Sequence, residues 1–175
     1  MKTLTLYQPW AMLVAIGTKQ IETRSWSTSY RGQIAIHVSK KMDATSRKLC
    51  GWFDNEPFGS TLKGIFWDKK PSTVLGMPAE MWYPIPENYH LGSIIATCDL
   101  IDIVLISPTI WNVLRSYYDE GVTSHPISVH PEQEFGDYTP GRYAWILDNV
   151  KPLEKPIPAK GSLGLWNWEP PICPS

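Results

Sequence analysis

The chain is short of net charge, of pairable cysteines and of long apolar runs, and each shortage argues against a class of function. A formal net charge of −1 over 175 residues gives little long-range attraction for a polyanion, whereas proteins that grip many duplex phosphates usually carry a strongly basic stripe. Tight binding along a long duplex is therefore disfavoured, and a small basic patch acting on one or two nucleotides is not. The basic pairs are Lys40 and Lys41, Arg47 and Lys48, and Lys69 and Lys70. Cys50, Cys98 and Cys173 are odd in number and far apart, which suits neither a disulfide framework nor a zinc ribbon and is simplest in a reducing compartment. The start, MKTLTLYQPW, lacks the apolar core of a signal peptide, and no run approaches membrane-spanning length, so a cytoplasmic protein away from membranes is expected. His125 and His130 stand five apart with Pro126 between them, unlike the helical pair of zinc hydrolases. With no glycine-rich phosphate loop either, neither a metal nor a cofactor is expected.

Aromatics and prolines are plentiful by contrast: nine Trp, eight Tyr and sixteen Pro. Such a chain buries a substantial core and connects its elements through stiff, irregular segments. Its length favours one domain spanning residues 1–175. Strands are expected at Lys2 to Leu6, Ile21 to Trp26, Gln33 to Ser39, after Gly92, and at Arg142 to Leu147 and Leu163 to Trp168, the last two separated by the proline-rich turn VKPLEKPIPAKG. Asp43 caps an expected helix running to about Phe53, and Ser107-Pro108 opens another that Gly121 ends. Residues 42–90 mix aromatics with Gly and Pro without a period and read as an ordered insertion, placed to roof a cleft. Five or six strands with few helices and no βαβ rhythm predict an α+β, mainly β fold: a small barrel with helices laid against it.

The chemistry concentrates in residues 4–40. Pro9 opens a short helix on which Trp10, Leu13, Val14 and Gly17 share a face, and Gly17 ends it, since a left-handed terminal residue is most cheaply glycine. Lys19, Glu22 and Arg24 follow at once. In an extended segment Glu22, Arg24 and Trp26 point to one side and Ile21 and Thr23 to the other, so charge and indole share a surface. On the next strand Ile34, Ile36 and Val38 form an apolar face, while Ala35, His37 and Ser39 form one suited to lining a cavity. A cluster of this kind serves either a site or an ion-pair network. Lys19 suits a base or a cationic anchor, Glu22 a proton acceptor or a reader of an exocyclic amine, and Arg24 a fork onto phosphate or carboxylate. Trp26, and less so Trp10, suits stacking on an unpaired base, and Ser39 with Lys40 suits a phosphate. His37 with Ser39 is a weaker acid–base and nucleophile pair. Cys98, mid-strand without a partner base, reads as buried and inert.

The strings YQPWA, IGTKQIETRSW and YRGQIAIHVSK, in that order, resemble the N-terminal signature of ASCH domains, relatives of the PUA-like barrels. The tail GRYAWILDNVKPLEKPIPAKGSLGLWNW is similar to the closing strands of longer bacterial and phage ASCH proteins. The resemblance implies a PUA-like barrel whose cleft is lined by the Lys19, Glu22 and Arg24 motif and whose partner is RNA, single-stranded nucleic acid, a nucleotide or a modified nucleoside. Activity across the family is not uniform: some small members remove an acyl group from N4-acetylcytidine, some are associated with RNA cleavage, and others bind. In the amidohydrolases a threonine nucleophile lies three positions after the lysine; here Lys19 and Arg24 match, but Glu22 stands in the threonine's place and Thr23 lies one place off, on the opposite strand face. The subgroup's glutamate lies further on, with Glu120 and Glu134 as candidates. A binding protein is thus the first expectation, with Lys19 and Glu22 catalytic and Arg24, Trp26, Ser39 and Lys40 holding substrate if it is an enzyme.

Overall fold

The computed structural model describes residues 1–51, 55–71, 80–84, 86–123 and 132–170. In chain order these form β1 (Lys2–Leu6), α1 (Trp10–Ala15), β2 (Ile21–Arg24), β3 (Gly32–Val38), α2 (Ala44–Gly51), α3 (Phe58–Leu62), β4 (Trp67–Pro71), β5 (Glu80–Pro84), β6 (Ser93–Leu105), α4 (Ile110–Asp119), β7 (Tyr143–Pro158) and β8 (Leu165–Asn167). A six-stranded sheet in the order β2-β7-β6-β3-β1-β8 curls into a half-barrel, and β4 and β5 form a separate hairpin. The fold is α+β and mainly β, as the sequence predicts. Within the large sheet β1 runs parallel to β3, and the other neighbours are antiparallel. Among the described residues no helix is long and apolar enough to cross a membrane.

α1 lies against β1, β3, β6 and β7. Periodicity predicts one apolar face for it, yet Ala11, Met12, Leu13, Val14 and Ala15 are all buried. The sheet wraps one side of the helix, and Phe58 and Leu62 of α3 belong to the same core. Truncating the wholly buried Leu13 to Ala would cost about 2–5 kcal/mol. Gly17 sits at φ +75° and ends the helix as expected.

Residues 42–90 carry real structure where described. Asp43 caps α2 by accepting the Ser46 N–H at 2.7 Å, and Tyr89 packs edge-on against Phe66, with ring centroids 4.8 Å apart. Buried Gln8 ties this segment to α1, donating to the Tyr89 carbonyl at 2.7 Å and accepting the Met12 N–H at 3.1 Å.

The proline-rich stretch is strand, not turn. Residues 150–158 continue β7, with Pro152 opposite Ala96 and Pro158 opposite Ser93 of β6. β2 flanks β7 only from Tyr143 to Ile146, so beyond that point β7 is an edge strand, where a missing N–H breaks no ladder. β6, expected to bend once, shifts register against β7 at three places, between Ile94 and Ala96, Thr97 and Asp99, and Leu100 and Asp102. These irregularities bend the long hairpin round α1. α4 starts at Ile110, three residues after Ser107, and Gly121 at φ +70° stops it.

Candidate functional site

β2 and β8 are the two edges of the curled sheet, and β1 lies next to β8. Arg24 of β2 reaches across the seam between them, donating from Nη2 to the Thr5 carbonyl of β1 at 2.8 Å. Beside this tie lies a cleft of about 380 Å³, bordered by Leu4, Thr5, Leu6, Tyr7 and Trp10, by Glu22, Arg24 and Trp26, by Ser39, and by Ser162, Leu163 and Gly164. Strand parity thus places Glu22, Arg24 and Trp26 on one wall, and β3 delivers Ser39 to the same space. Trp26 is half-buried, stacked edge-on against Trp145 with centroids 4.7 Å apart, while the Trp145 indole N–H donates to the Trp26 carbonyl at 3.2 Å. Trp10 packs on Phe58, as a helix-face tryptophan should, and borders the cleft as well. No residue of the 42–90 segment borders this cleft among those described.

Two cations flank the Glu22 carboxylate. Oε1 lies 3.2 Å from Arg24 Nε and Oε2 lies 3.9 Å from Lys19 Nζ. Neither is an aligned hydrogen bond, and Arg24 Nε has no hydrogen-bond partner among the described residues. The wall therefore carries a carboxylate and a guanidinium that attract each other, with the unpartnered Nε sealed from solvent.

Lys19 is fully buried and does not border the cleft. Its ammonium donates to the Ile21 carbonyl and to Glu132 Oε1, the latter at 3.4 Å. Glu132 in turn accepts the Gln20 N–H at 2.7 Å, the Ile21 N–H at 3.3 Å and the Tyr138 hydroxyl at 3.2 Å. Together the pair supplies the free edge of β2 with the donor and acceptors that a neighbouring strand would offer. Burial pushes the Glu132 carboxyl above its ordinary value, against the opposing pull of Lys19 and of its hydrogen bonds. Gly136 lets the following segment close over the pair, since a Cβ there would come 2.8 Å from the Tyr138 ring and 3.4 Å from Lys19 Nζ.

Glu132 is the residue that sequence reasoning missed. Glu120 and Glu134, the two candidate acids, are exposed, and the carboxylate that meets Lys19 lies 113 positions away from it with no local motif around it. Glu134 instead borders, with Glu22 and Asp137, a second hollow on the far side of Trp10, walled by Leu49, Phe58 and Phe135. A third hollow, bordered by His37, Lys40 and Lys41, adjoins the cleft at Ser39. Lys40 is therefore beside the cleft and not in its wall.

His37 is 1% exposed. Its Nε2 lies 3.1 Å from the Ala159 carbonyl and its Nδ1 3.2 Å from the Thr5 hydroxyl. A carbonyl only accepts, so Nε2 carries the proton, and burial holds the pKa below its usual value although the bond to Ala159 opposes this. The ring packs edge-on against Trp166 and leaves no room for a Cβ at Gly161, which would fall 2.3 Å from Cε1. His37 thereby anchors the strap of residues 159–164, whose tip, Leu163, is 96% exposed. The buried thiols of Cys50 and Cys98 are pushed up to about 12, the mark of unreactive groups; Cys173 lies outside the described residues. Among the described residues no cluster of His, Cys, Asp and Glu is placed to hold a metal ion, and His125 and His130 lie outside them.

The architecture is thus a curled, mainly β half-barrel with short helices packed in and around it and a polar, aromatic cleft at its open seam. Residues 4–157 match the family model of the ASCH domain, from β1 almost to the end of β7, and the chain belongs to that family. No curated protein matches the chain.

Proposed function

We propose that the seam cleft holds one unstacked base of an RNA strand or of a nucleotide. The observation that carries this is the Glu22–Arg24 pair beside Trp26: a carboxylate and a guanidinium, next to an indole, bordering a cleft of about 380 Å³. That volume falls within the range of small-ligand pockets. A base edge offers both donors and acceptors, which Glu22 and Arg24 answer in turn, while an aromatic face holds any base by stacking. Ser39 and Lys40 take the charge of the attached backbone. The net charge of −1 fits a local contact better than a grip on a long duplex.

In this reading Lys19 and Glu132 act from behind the wall. They hold β2 in place and set Glu22 facing the cleft, so Lys19 is a positioning residue. A hydrolase would need Lys19 to offer a lone pair or deliver a proton through Glu22, and the ammonium already faces the Ile21 carbonyl, Glu132 and Glu22.

The test is titration of the purified protein, followed by tryptophan fluorescence, with nucleosides, nucleotides and short single-stranded RNAs, alongside incubation with acylated cytidines. Saturable binding that is weakened in Glu22→Gln and Trp26→Ala, without turnover, is expected. Binding unchanged in both variants would remove the cleft from the account, and acyl release abolished by Glu22→Gln would make the protein an amidohydrolase.

A further inference from the structure

We infer that the hollow beside Lys40 and Lys41 is a phosphate subsite, so that the ligand is a nucleotide or a strand bearing a phosphate on that side, and not a free nucleoside. The inference rests on the base-binding reading of the cleft and adds the chemical class of the ligand.

The hollow, of about 380 Å³, shares Thr5, Tyr7, Ser39, Ser162 and Leu163 with the base cleft, so the two lie side by side. Two lysines border it and, among the described residues, no Asp or Glu does. Lys40 is placed by its stem, which lies alongside Gly92; a Cβ there would come 3.6 Å from Lys40 Cβ. Ser39 Oγ accepts the Lys41 backbone N–H at 3.1 Å, and no described residue accepts its hydroxyl proton. A phosphate in the hollow thus finds a hydroxyl donor in a lining that also carries two lysines, groups that anions select. The neutral ring of His37 supports the floor without adding charge.

The hollow bordered by Trp10 and Phe135 has a different lining. Glu22, Glu134 and Asp137 border it, with no Lys or Arg among its described lining. Glu22 is already paired with Arg24 and Lys19, and Asp137 with Arg142 at 3.3 Å, so a phosphodiester placed there would find no lysine or arginine in the lining, whereas one on the Ser39 side finds two lysines. The base cleft between the two therefore has a direction. The backbone leaves on one side only, which fits a strand end or a mononucleotide better than a strand passing straight through.

The experiment compares a nucleoside with its 3′- and 5′-monophosphates on the wild-type protein and on a Lys40→Ala/Lys41→Ala double variant, at two salt concentrations. Both lysines are exposed, so the variant retains the fold. The wild type should bind the better monophosphate roughly tenfold or more above the nucleoside, with a salt slope that shrinks this gap as ionic screening rises. The double variant should lose both the gap and the slope and keep its nucleoside affinity. Equal binding of nucleoside and nucleotide by the wild type, or a gap that survives the double variant, overturns the subsite. If nucleoside binding still depends on Trp26 and Glu22 in that case, the base-cleft reading stands alone. Nucleotide binding that needs the lysines but ignores Trp26→Ala and Glu22→Gln would overturn the base cleft instead, and no binding of either ligand overturns both.

Discussion

Replacing Lys19 with methionine keeps the length of the side chain and removes its charge, leaving Glu132 buried without a cation. The two charges stand 3.4 Å apart, and at an effective dielectric of 20 that separation is worth about 5 kcal/mol before desolvation is counted. Breaking a buried pair from one side typically costs about 3–5 kcal/mol, because the surviving charge is stranded. Part of that loss is the charged hydrogen bond to the Ile21 carbonyl, which Met cannot replace. The effect must also depend on pH. Burial already raises the Glu132 pKa, and Lys19 is the largest influence lowering it, so the variant raises it further. A carboxyl whose folded value lies above its unfolded one favours the fold below about pH 4.3, and that contribution is lost as pH rises through the folded value. The destabilisation of Lys19→Met should therefore be smaller at pH 4, where the loss of the bond to Ile21 remains, than at pH 8. Urea unfolding followed by tryptophan fluorescence, on both single variants and on Lys19→Met/Glu132→Gln, measures it. The double variant should be more stable than the sum of the singles predicts by about 2–3 kcal/mol. Costs that simply add, or a Lys19→Met effect below about 1 kcal/mol that ignores pH, would refute the buried-pair reasoning.

His37 should make the protein less stable in acid. Its depressed pKa means that the neutral ring belongs to the fold, so its contribution is present above about pH 6.5 and is lost as pH falls through the lower folded value. Thermal unfolding of His37→Gln at pH 5 and 7.5 should accordingly show a shallower fall than the wild type. Gly161→Ala would drive a methyl into the His37 ring, at an expected cost of about 1–3 kcal/mol in urea unfolding, and should displace the strap over the cleft. Leu163→Ser should leave stability within about 0.5 kcal/mol, because the side chain is solvated in the unliganded fold. The same change should weaken nucleotide or RNA binding by roughly three- to tenfold in a fluorescence titration, the worth of covering about half a leucine.

Much of the site is legible in the sequence because its logic is local. The Gly17 stop, the Asp43 cap and the two-residue parity of Glu22, Arg24 and Trp26 each depend on neighbours in the chain, and the structure has all three. What escapes the sequence is set by distant partners. Prolines 152, 156 and 158 signal a turn, yet they sit in β7 because β2 is too short to flank that half of the strand. α1 reads as one-faced because nothing in residues 10–15 announces that Phe58 and Leu62 will join the same core. Lys19 reads as part of a cleft motif, and only Glu132 and Gly136, more than a hundred residues on, reveal that it is enclosed behind the wall.

The open seam gives the molecule a way to breathe. No ladder joins β2 to β8, so the seam is bridged by side chains such as Arg24, whose bond to the Thr5 carbonyl could open without breaking a sheet. A molecule lodged between Glu22 on one margin and Ser162 on the other would act as the missing rung. Amide hydrogens along β1 and β2 should then exchange with solvent more slowly when the cleft is filled.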